Sequence, residues 1–569
     1  MVYMVSHQAY IMDVVITAHG AAGSNSVLSQ HVIDWLQRTS ISRCVLLVPR
    51  DEEYGLIEEE LKGSLAQNCS VERVVLPKMQ TKNIQTPTDL KSQPWAILNH
   101  IQKCMNLHNE TTVFLGRGSR LHDHLLWLSA QCHPNAHLLH IDSLQPALSI
   151  KRTGSTTDIA TSTLRGLLHF HLQDIENKRP EHLGYSDAER LSGYAGAGTT
   201  LGVRPALQTF VEKNLVEKLP VAKDSVSYKL TPAGFADAFA SYCGRRFSEN
   251  DTIRRNLNIV FGRLPHIQTE NERGEKQDFN LFQYLAPLQP IDGLLVVLQR
   301  HSDEIEGTHV VTLEDAIVQF EHSDAHFIGD LRNAHRVLMR RSQEDLIDMK
   351  RHLVVINPEA TQEFHLDFLL RLLNECQIFE ENFGLSRWNI DLTQPLGKLH
   401  SAVSFFTLLS GAITTYIYKN QLPNEEQSPF TRKEHLIPVP NKMAYETLNA
   451  FKNPHGNTKD APNFLQILLL WERYHEGQNA SLEGNLFEAP KSTTAQQQTA
   501  NNANLSKFYE RELKSKYKEI FYPTNFNRII KNLNGHGLVV KQGMAYLLTD
   551  LGTFVAEQLL KITEKEALN

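Results

Sequence analysis

Glycine-rich turns beside basic residues are the parts of this sequence best suited to hold an anion. Ala18-His19-Gly20-Ala21-Ala22-Gly23-Ser24-Asn25-Ser26 follows one short apolar run. Leu115-Gly116-Arg117-Gly118-Ser119-Arg120 ends another and leads directly into a helical pattern. Glycine lets the backbone approach a phosphate closely, a helix N-terminus presents unpaired N–H groups, and arginine supplies a forked, charge-assisted contact. His19, Gly20, Gly23, Ser24 and Asn25 in the first turn, and Gly116, Arg117, Gly118, Ser119 and Arg120 in the second, are therefore candidate ligand contacts. Taken singly, either turn is equally consistent with a plain chain reversal whose arginines are solvated. Thr393 and Lys398 in Thr393-Gln394-Pro395-Leu396-Gly397-Lys398 offer a third candidate. There Pro395 removes one amide donor, and Lys398 reads equally well as a surface lysine.

Such turns serve as binding sites at the carboxyl ends of parallel strands. Residues 1–155 alternate apolar β-type runs (Asp13–Thr17, Cys44–Val48, Val71–Leu76, Thr112–Leu115, His137–Ile141) with helical patterns such as Val27–Gln37, Trp95–Met105 and Leu121–Gln131. That rhythm predicts a Rossmann-like α/β domain with a parallel sheet. Strand-like runs resume at Gly293–Leu298, His352–Ile356 and Trp388–Leu392, so a second domain of this kind is expected over 285–445. Between them, 156–247 reads as a helical connector with a further module, and 248–284 as a connection with a polar, charged centre. Residues 446–476 read as helical. The stretch 477–504, rich in Gln, Asn, Ala, Thr and Ser, is expected to be a flexible linker before a last module at 505–569.

The two modules share a pattern. In the first, a helical run from Arg204 ends at Leu215-Val216, and Tyr228-Lys229-Leu230-Thr231-Pro232-Ala233-Gly234 then opens another helix. In the second, a run from Arg528 ends at Leu538-Val539, and Tyr546-Leu547-Leu548-Thr549-Asp550-Leu551-Gly552 follows. Gly543 suits a hairpin turn and Thr549 an N-cap. The order resembles a winged helix-turn-helix, which implies DNA binding through Arg204, Lys514, Lys516, Lys518, Arg528, Lys531 and Lys541, or a packing role without DNA.

Composition limits the partners. The 569 residues exceed one core, and 57 Lys and Arg against 64 Asp and Glu give a formal charge of −7, so any nucleic-acid surface must be local. Cys44, Cys69, Cys104, Cys132, Cys243 and Cys376 lie without a Cys-x-x-Cys pair and read as reduced thiols, with no zinc site expected. The apolar run near Met12–Ala18 is shorter than a membrane span. A soluble, cytoplasmic protein with no membrane partner and no cofactor is expected.

The glycine turns followed by a winged-helix pattern resemble CARF proteins, the CRISPR-associated Rossmann-fold sensors, especially those fused to a winged helix as regulators. In that family the fourth strand leads into a Thr-Gly-Gly-Thr-Lys-like turn and a small-residue helix. Here Phe114 to Arg120 stands at the first such place. At the second stand Ile390-Asp391-Leu392-Thr393 to Lys398 and then Ser401-Ala402-Val403, with Gln394-Pro395 replacing the paired glycines. The resemblance implies two Rossmann-like domains, each followed by a winged helix, arranged as a tandem duplication. It also implies a nucleotide-like ligand of the cyclic oligoadenylate type, and either a homodimer or an intramolecular pseudo-dimer. A transcriptional regulator is the reading that follows. The alternatives are a CARF effector with nuclease or ring-nuclease activity and a non-enzymatic scaffold; no compact Asp…Glu-x-Lys cluster points to a metal nuclease. Arg165 with His169 or His171 resembles the Arg-spacer-His pattern of HEPN ribonucleases, although a chance pairing on a packed helix explains it more simply.

Overall fold

The computed structural model describes residues 12–17, 30–48, 55–65, 69–76, 87–105, 109–116, 120–133, 135–149, 158–176, 186–194, 200–222, 225–246, 255–264, 292–344, 349–392, 397–410, 412–419, 434–438, 460–483, 500–517, 520–523, 526–535, 538–542 and 545–568. In the first α/β domain β1 (Met12–Thr17), β2 (Ile41–Val48), β3 (Ser70–Val75), β4 (Glu110–Leu115) and β5 (Ala136–His140) form a parallel sheet in the order β3-β2-β1-β4-β5. Helices α1 (Gln30–Arg38), α2 (Gly55–Ser64), α3 (Pro87–Cys104) and α4 (Arg120–Cys132) connect the strands. Runs such as Val45-Leu46-Leu47-Val48 are apolar throughout because both faces of a parallel sheet are covered. This Rossmann-like order agrees with the alternation read from the sequence.

The second sheet has seven strands in the order β10-β11-β9-β8-β12-β13-β14. They are β8 (Arg255–Arg263), β9 (Gly293–Arg300), β10 (His309–Thr312), β11 (Met349–Ile356), β12 (Ser386–Asp391), β13 (Ile413–Lys419) and β14 (Glu434–Pro438). Its parallel centre, β11-β9-β8-β12-β13, repeats the arrangement of the first sheet, and β10 and β14 add antiparallel edges. Helices α9 (Leu313–Gln319), α10 (Ala325–Glu344), α11 (Gln362–Phe383) and α12 (His400–Ser410) belong to this domain. One expectation needs correcting. The stretch 248–284 was read as connection, yet β8 lies inside it, hydrogen-bonded to β9 and β12 in mid-sheet. Asn256 and Asn258 and the charged ends Arg255 and Arg263 leave only a short apolar run, Ile259-Val260-Phe261, too little to read as a buried strand.

Each α/β domain is followed by a helical unit with a two-stranded hairpin. The first contains α5 (Asp158–Glu176), α6 (Ala188–Tyr194), α7 (Thr200–Glu212), the hairpin β6 (Val216–Ala222) and β7 (Ser225–Leu230), and α8 (Pro232–Arg246). The second contains α13 (Ala461–Glu483), α14 (Asn502–Phe508), α15 (Phe526–Gly535), the hairpin β15 (Val539–Gln542) and β16 (Ala545–Leu548), and α16 (Asp550–Leu568). Helix α13 continues through Gly477 to Glu483, into the stretch expected to be linker, where Ala480, Leu482 and Glu483 favour helix. The two hairpins close alike. Leu215 N–H donates to Phe210 O (2.8 Å) and Thr231 N–H to Leu215 O (3.1 Å); Leu538 N–H donates to Leu533 O (2.9 Å) and Thr549 N–H to Leu538 O (3.0 Å). Thr231 and Thr549 then cap the closing helices by accepting from Gly234 N–H (3.2 Å) and Gly552 N–H (3.0 Å). A Cβ at Gly234 would land on the Leu215 carbonyl, and one at Gly552 on the Leu538 carbonyl. The pattern Tyr-x-Leu-Thr-x-x-Gly is therefore set by one backbone contact made twice.

The units pack crosswise. Helices α5 and α8, which follow the first domain, lie against α11 of the second, and α8 also lies against α12, with Phe239 and Phe406 ring centroids 5.1 Å apart and Phe235 and Phe405 6.2 Å apart. Helix α16 at the chain end lies against α3 of the first domain, through Trp95 and Phe554 at 6.1 Å and an ion pair of Lys103 with Glu557 at 3.6 Å. The two α/β domains meet through α4 and α12. One apolar cluster runs through all of these contacts, and the outer faces of the sheets carry their own.

Candidate functional site

Among the described residues, the site is built where β4 and β12 end and α4 and α12 begin. Gly116 follows β4, exposed, with φ +112°, and its N–H donates to the Asp123 carboxylate at 3.2 Å. The amide offered to an anion by the sequence is thus held by a buried acid one helical turn into α4. After β12, Gly397 has φ +51° and opens a 3-10 turn, Gly397–Leu399, that runs straight into α12. Lys398 is exposed there, and Leu399 is buried and anchors the turn. Both turns therefore feed the two helices that join the domains.

Beneath the second turn lies a polar seam. His140, the last residue of β5, places Nε2 3.1 Å from Ser401 Oγ on α12. Ser401 Oγ is 3.4 Å from His365 Nδ1 on α11, and His365 Nε2 is 2.9 Å from the Lys398 carbonyl. One turn further along α12, Ser404 Oγ lies 2.9 Å from His124 Nδ1 of α4. These side chains are buried, and the His140 and His365 rings meet edge to face at 5.3 Å. Burial holds His140 down to about 3, aided by His365 and Lys398. Burial also lowers His365 to about 4, opposed by the carbonyls of Lys398 and Glu359. Both imidazoles are neutral at pH 7. The Lys398 carbonyl can only accept, so the His365 tautomer that completes this contact carries its proton on Nε2 and leaves Nδ1 as an acceptor for Ser401. In that tautomer the Ser401 oxygen accepts from His140 Nε2–H.

The sequence missed this seam. Ser401 stands in a stretch singled out only for its small residues, and His140 at the end of an apolar strand. The available signal was a pair of serines three apart on a wholly buried helix. Of the predicted ligand contacts, Gly116 and Lys398 fall in the site as described. Arg120 opens α4, with its side chain outside the described residues, and His19, Gly20, Gly23, Ser24, Asn25, Arg117, Gly118, Ser119 and Thr393 lie outside them altogether.

The candidate DNA contacts divide similarly. Helix α15 buries Ile529 and Leu533 and exposes Asn527, Arg528, Lys531 and Asn534. Arg204 is exposed on α7 beside Gln208. Lys514 and Lys516 are exposed on a different segment, and Lys514 is paired with Glu510 at 2.8 Å. Lys518 and the Lys541 side chain lie outside the described residues. His171, of the Arg-spacer-His pattern, is 2 % exposed on the packed face of α5, where a solvent-borne RNA does not reach it. Among the described residues there is no cluster of three or more His, Cys, Asp or Glu side chains able to hold a metal, and no helix long and apolar enough to cross a membrane.

No protein-family model matches the chain, and no curated protein matches it. Among solved structures, it is similar to Can2 from Sulfobacillus thermosulfidooxidans in complex with cyclic tetra-adenylate, with 11% identity over 41% of this chain and a TM-score of 0.16. That match spans 63% of Can2, less than two thirds of its length. Enterococcus italicus Csm6 bound to cyclic hexa-2'-fluoro-hexa-dAMP matches at 9% identity over 55% of this chain and 78% of its own, with a TM-score of 0.22. Phytolacca americana UGT2 complexed with UDP-2fluoro-glucose and pterostilbene matches at 11% identity over 72% of this chain and 80% of its own, with a TM-score of 0.17. At such scores none of the three assigns this chain to a family.

Proposed function

We propose that the chain is a ligand-responsive DNA-binding regulator whose two CARF-like α/β domains form an intramolecular pseudo-dimer and sense a nucleotide-like anion of the cyclic oligoadenylate class. The observation that carries this reading is the crossed packing: each hairpin unit rests on the α/β domain of the other half. A ligand that bridges the turns at Gly116 and Lys398 would change how α4 lies on α12, and the hairpin units would move with their supports. The repeated Leu-carbonyl, Thr and Gly closure supports reading both units as winged helices from one duplication. In this reading α15 is the reading helix, with Arg528 and Lys531 on phosphates and Asn527 and Asn534 at base edges.

The test is fluorescence anisotropy with DNA from the protein's own promoter, with and without cyclic tetra-adenylate or hexa-adenylate. Salt-sensitive binding that shifts at least about tenfold with one ligand supports the reading, a coupling typical of allosteric proteins. No DNA binding at low salt in either condition rejects it. Linear products from labelled ligand would identify a ring nuclease instead.

A further inference from the structure

The proposed ligand turn and the first α/β domain are joined by a continuous hydrogen-bonded path. It begins at His140, which anchors the turn after β5: its carbonyl accepts from Ser143 N–H (3.3 Å) and Leu144 N–H (2.8 Å), and its N–H donates to Gln145 O (2.9 Å). The path crosses to Ser401 on α12, passes through the His365 ring and ends on the Lys398 carbonyl. Every interior member is buried, so water cannot replace a broken link. A neutral imidazole has one donor and one acceptor nitrogen and a hydroxyl only one proton to give, so a shift at Lys398 that alters the His365 contact alters what Ser401 and then His140 are offered.

We propose that Ser401 and His365 are positioning residues of a relay that transmits the placement of the Gly397–Lys398 turn to β5 across the domain interface. The use of this relay in signalling rests on the ligand reading above, whereas its existence does not. The pair His124 and Ser404 spans the same interface without touching the turn, and so serves as an internal comparison.

The relay is tested by hydrogen exchange on the full chain, with a substitution standing in for ligand. Gly397→Val displaces the turn, because φ there is +51° and a Cβ would sit 3.2 Å from Gln299 Oε1. The amides of residues 136–145 are expected to exchange about threefold or more faster in Gly397→Val than in the parent, a change in local opening. The response is expected to vanish when Ser401→Ala or His140→Leu is added. It should persist with Ser404→Ala, and with His140→Gln, whose amide can donate where Nε2 does. Ser401→Ala removes one hydroxyl from a helix, and His140→Leu gives an independent break should the first variant misfold. An unresponsive parent, or a response equal in the Ser401→Ala background, overturns the relay. In parallel, at saturating cyclic tetra-adenylate, Ser401→Ala should lose most of the ligand-induced change in DNA affinity, as expected of a coupling residue, whereas Ser404→Ala should keep it. If the parent fails to bind cyclic tetra-adenylate or hexa-adenylate, the ligand reading falls, and the exchange measurements still decide the relay.

Discussion

Two buried histidines give the molecule a defined acid sensitivity. Burial holds His140 to about 3 and His365 to about 4, whereas in an unfolded chain both return to about 6.5. Between these values the unfolded chain binds protons that the folded one refuses. The stability contribution is therefore complete above about pH 6.5 and is lost as pH falls, by up to about 1.4 kcal/mol per pH unit for each histidine. Urea midpoints measured between pH 7.5 and 5 should drop more steeply in the parent than in His140→Gln; equal slopes would contradict this account. At the hairpin closures, Gly234→Ala and Gly552→Ala force a methyl onto a carbonyl oxygen. Each should cost about 1–3 kcal/mol, as overpacking does, and lower the melting temperature. Asp123 already occupies the Gly116 amide, so Asp123→Ala, which frees that donor, should tighten binding of cyclic tetra-adenylate by about tenfold if that turn meets phosphate, one hydrogen bond to a charged group being worth about 1.5–3 kcal/mol.

At the scale of single elements, function rests on which face a helix turns outward. Helix α15 is amphipathic, and its exposed side carries Arg528 and Lys531. Replacing either by Ala should weaken binding to all DNA sequences about equally and reduce the slope of log affinity against log salt by about 1 per residue. A loss confined to one sequence would place these residues on bases. Lys514, already paired with Glu510, should matter less. Most elements are legible in the sequence. Strands β1, β2, β4, β9 and β11 carry runs of apolar and β-branched residues, a local property, and β3, β5 and β12 alternate such residues with polar ones. Strand β8 is not legible, since Asn256 and Asn258 interrupt its apolar residues although it lies in mid-sheet. Strands β10 and β14 are short edges whose pairing is antiparallel and non-local. Gly116 and Gly397 showed in the sequence because a positive φ is a property of one residue. The His140, Ser401 and His365 seam did not, because its members lie 261 and 36 positions apart and meet only through tertiary packing.

Among the described residues, one apolar cluster ties the two halves of the molecule together. The apolar cluster that fills the inner face of the first sheet continues through α8, α12 and α16, so the inner core is shared by both halves, whereas the outer face of each sheet has a core of its own. Phe235 and Phe239 are completed by Phe405 and Phe406 from the other half. Phe405→Ala should therefore destabilise by about 3–5 kcal/mol, the usual cost of emptying a buried aromatic site. The loss should appear together at Trp35 and Trp127 of the first domain and Trp388 of the second, read by single-tryptophan variants. Independent transitions would separate the halves.

The crossed arrangement also sets a schedule for synthesis. Helix α8 is complete at Arg246, but its partner α12 ends at Ser410. At roughly 5–20 residues per second the ribosome needs on the order of 10–30 s to make the chain between them. Through that interval the nascent first half holds out the aromatic face of α8 uncovered, making it a natural client for a holding chaperone until its counterpart emerges.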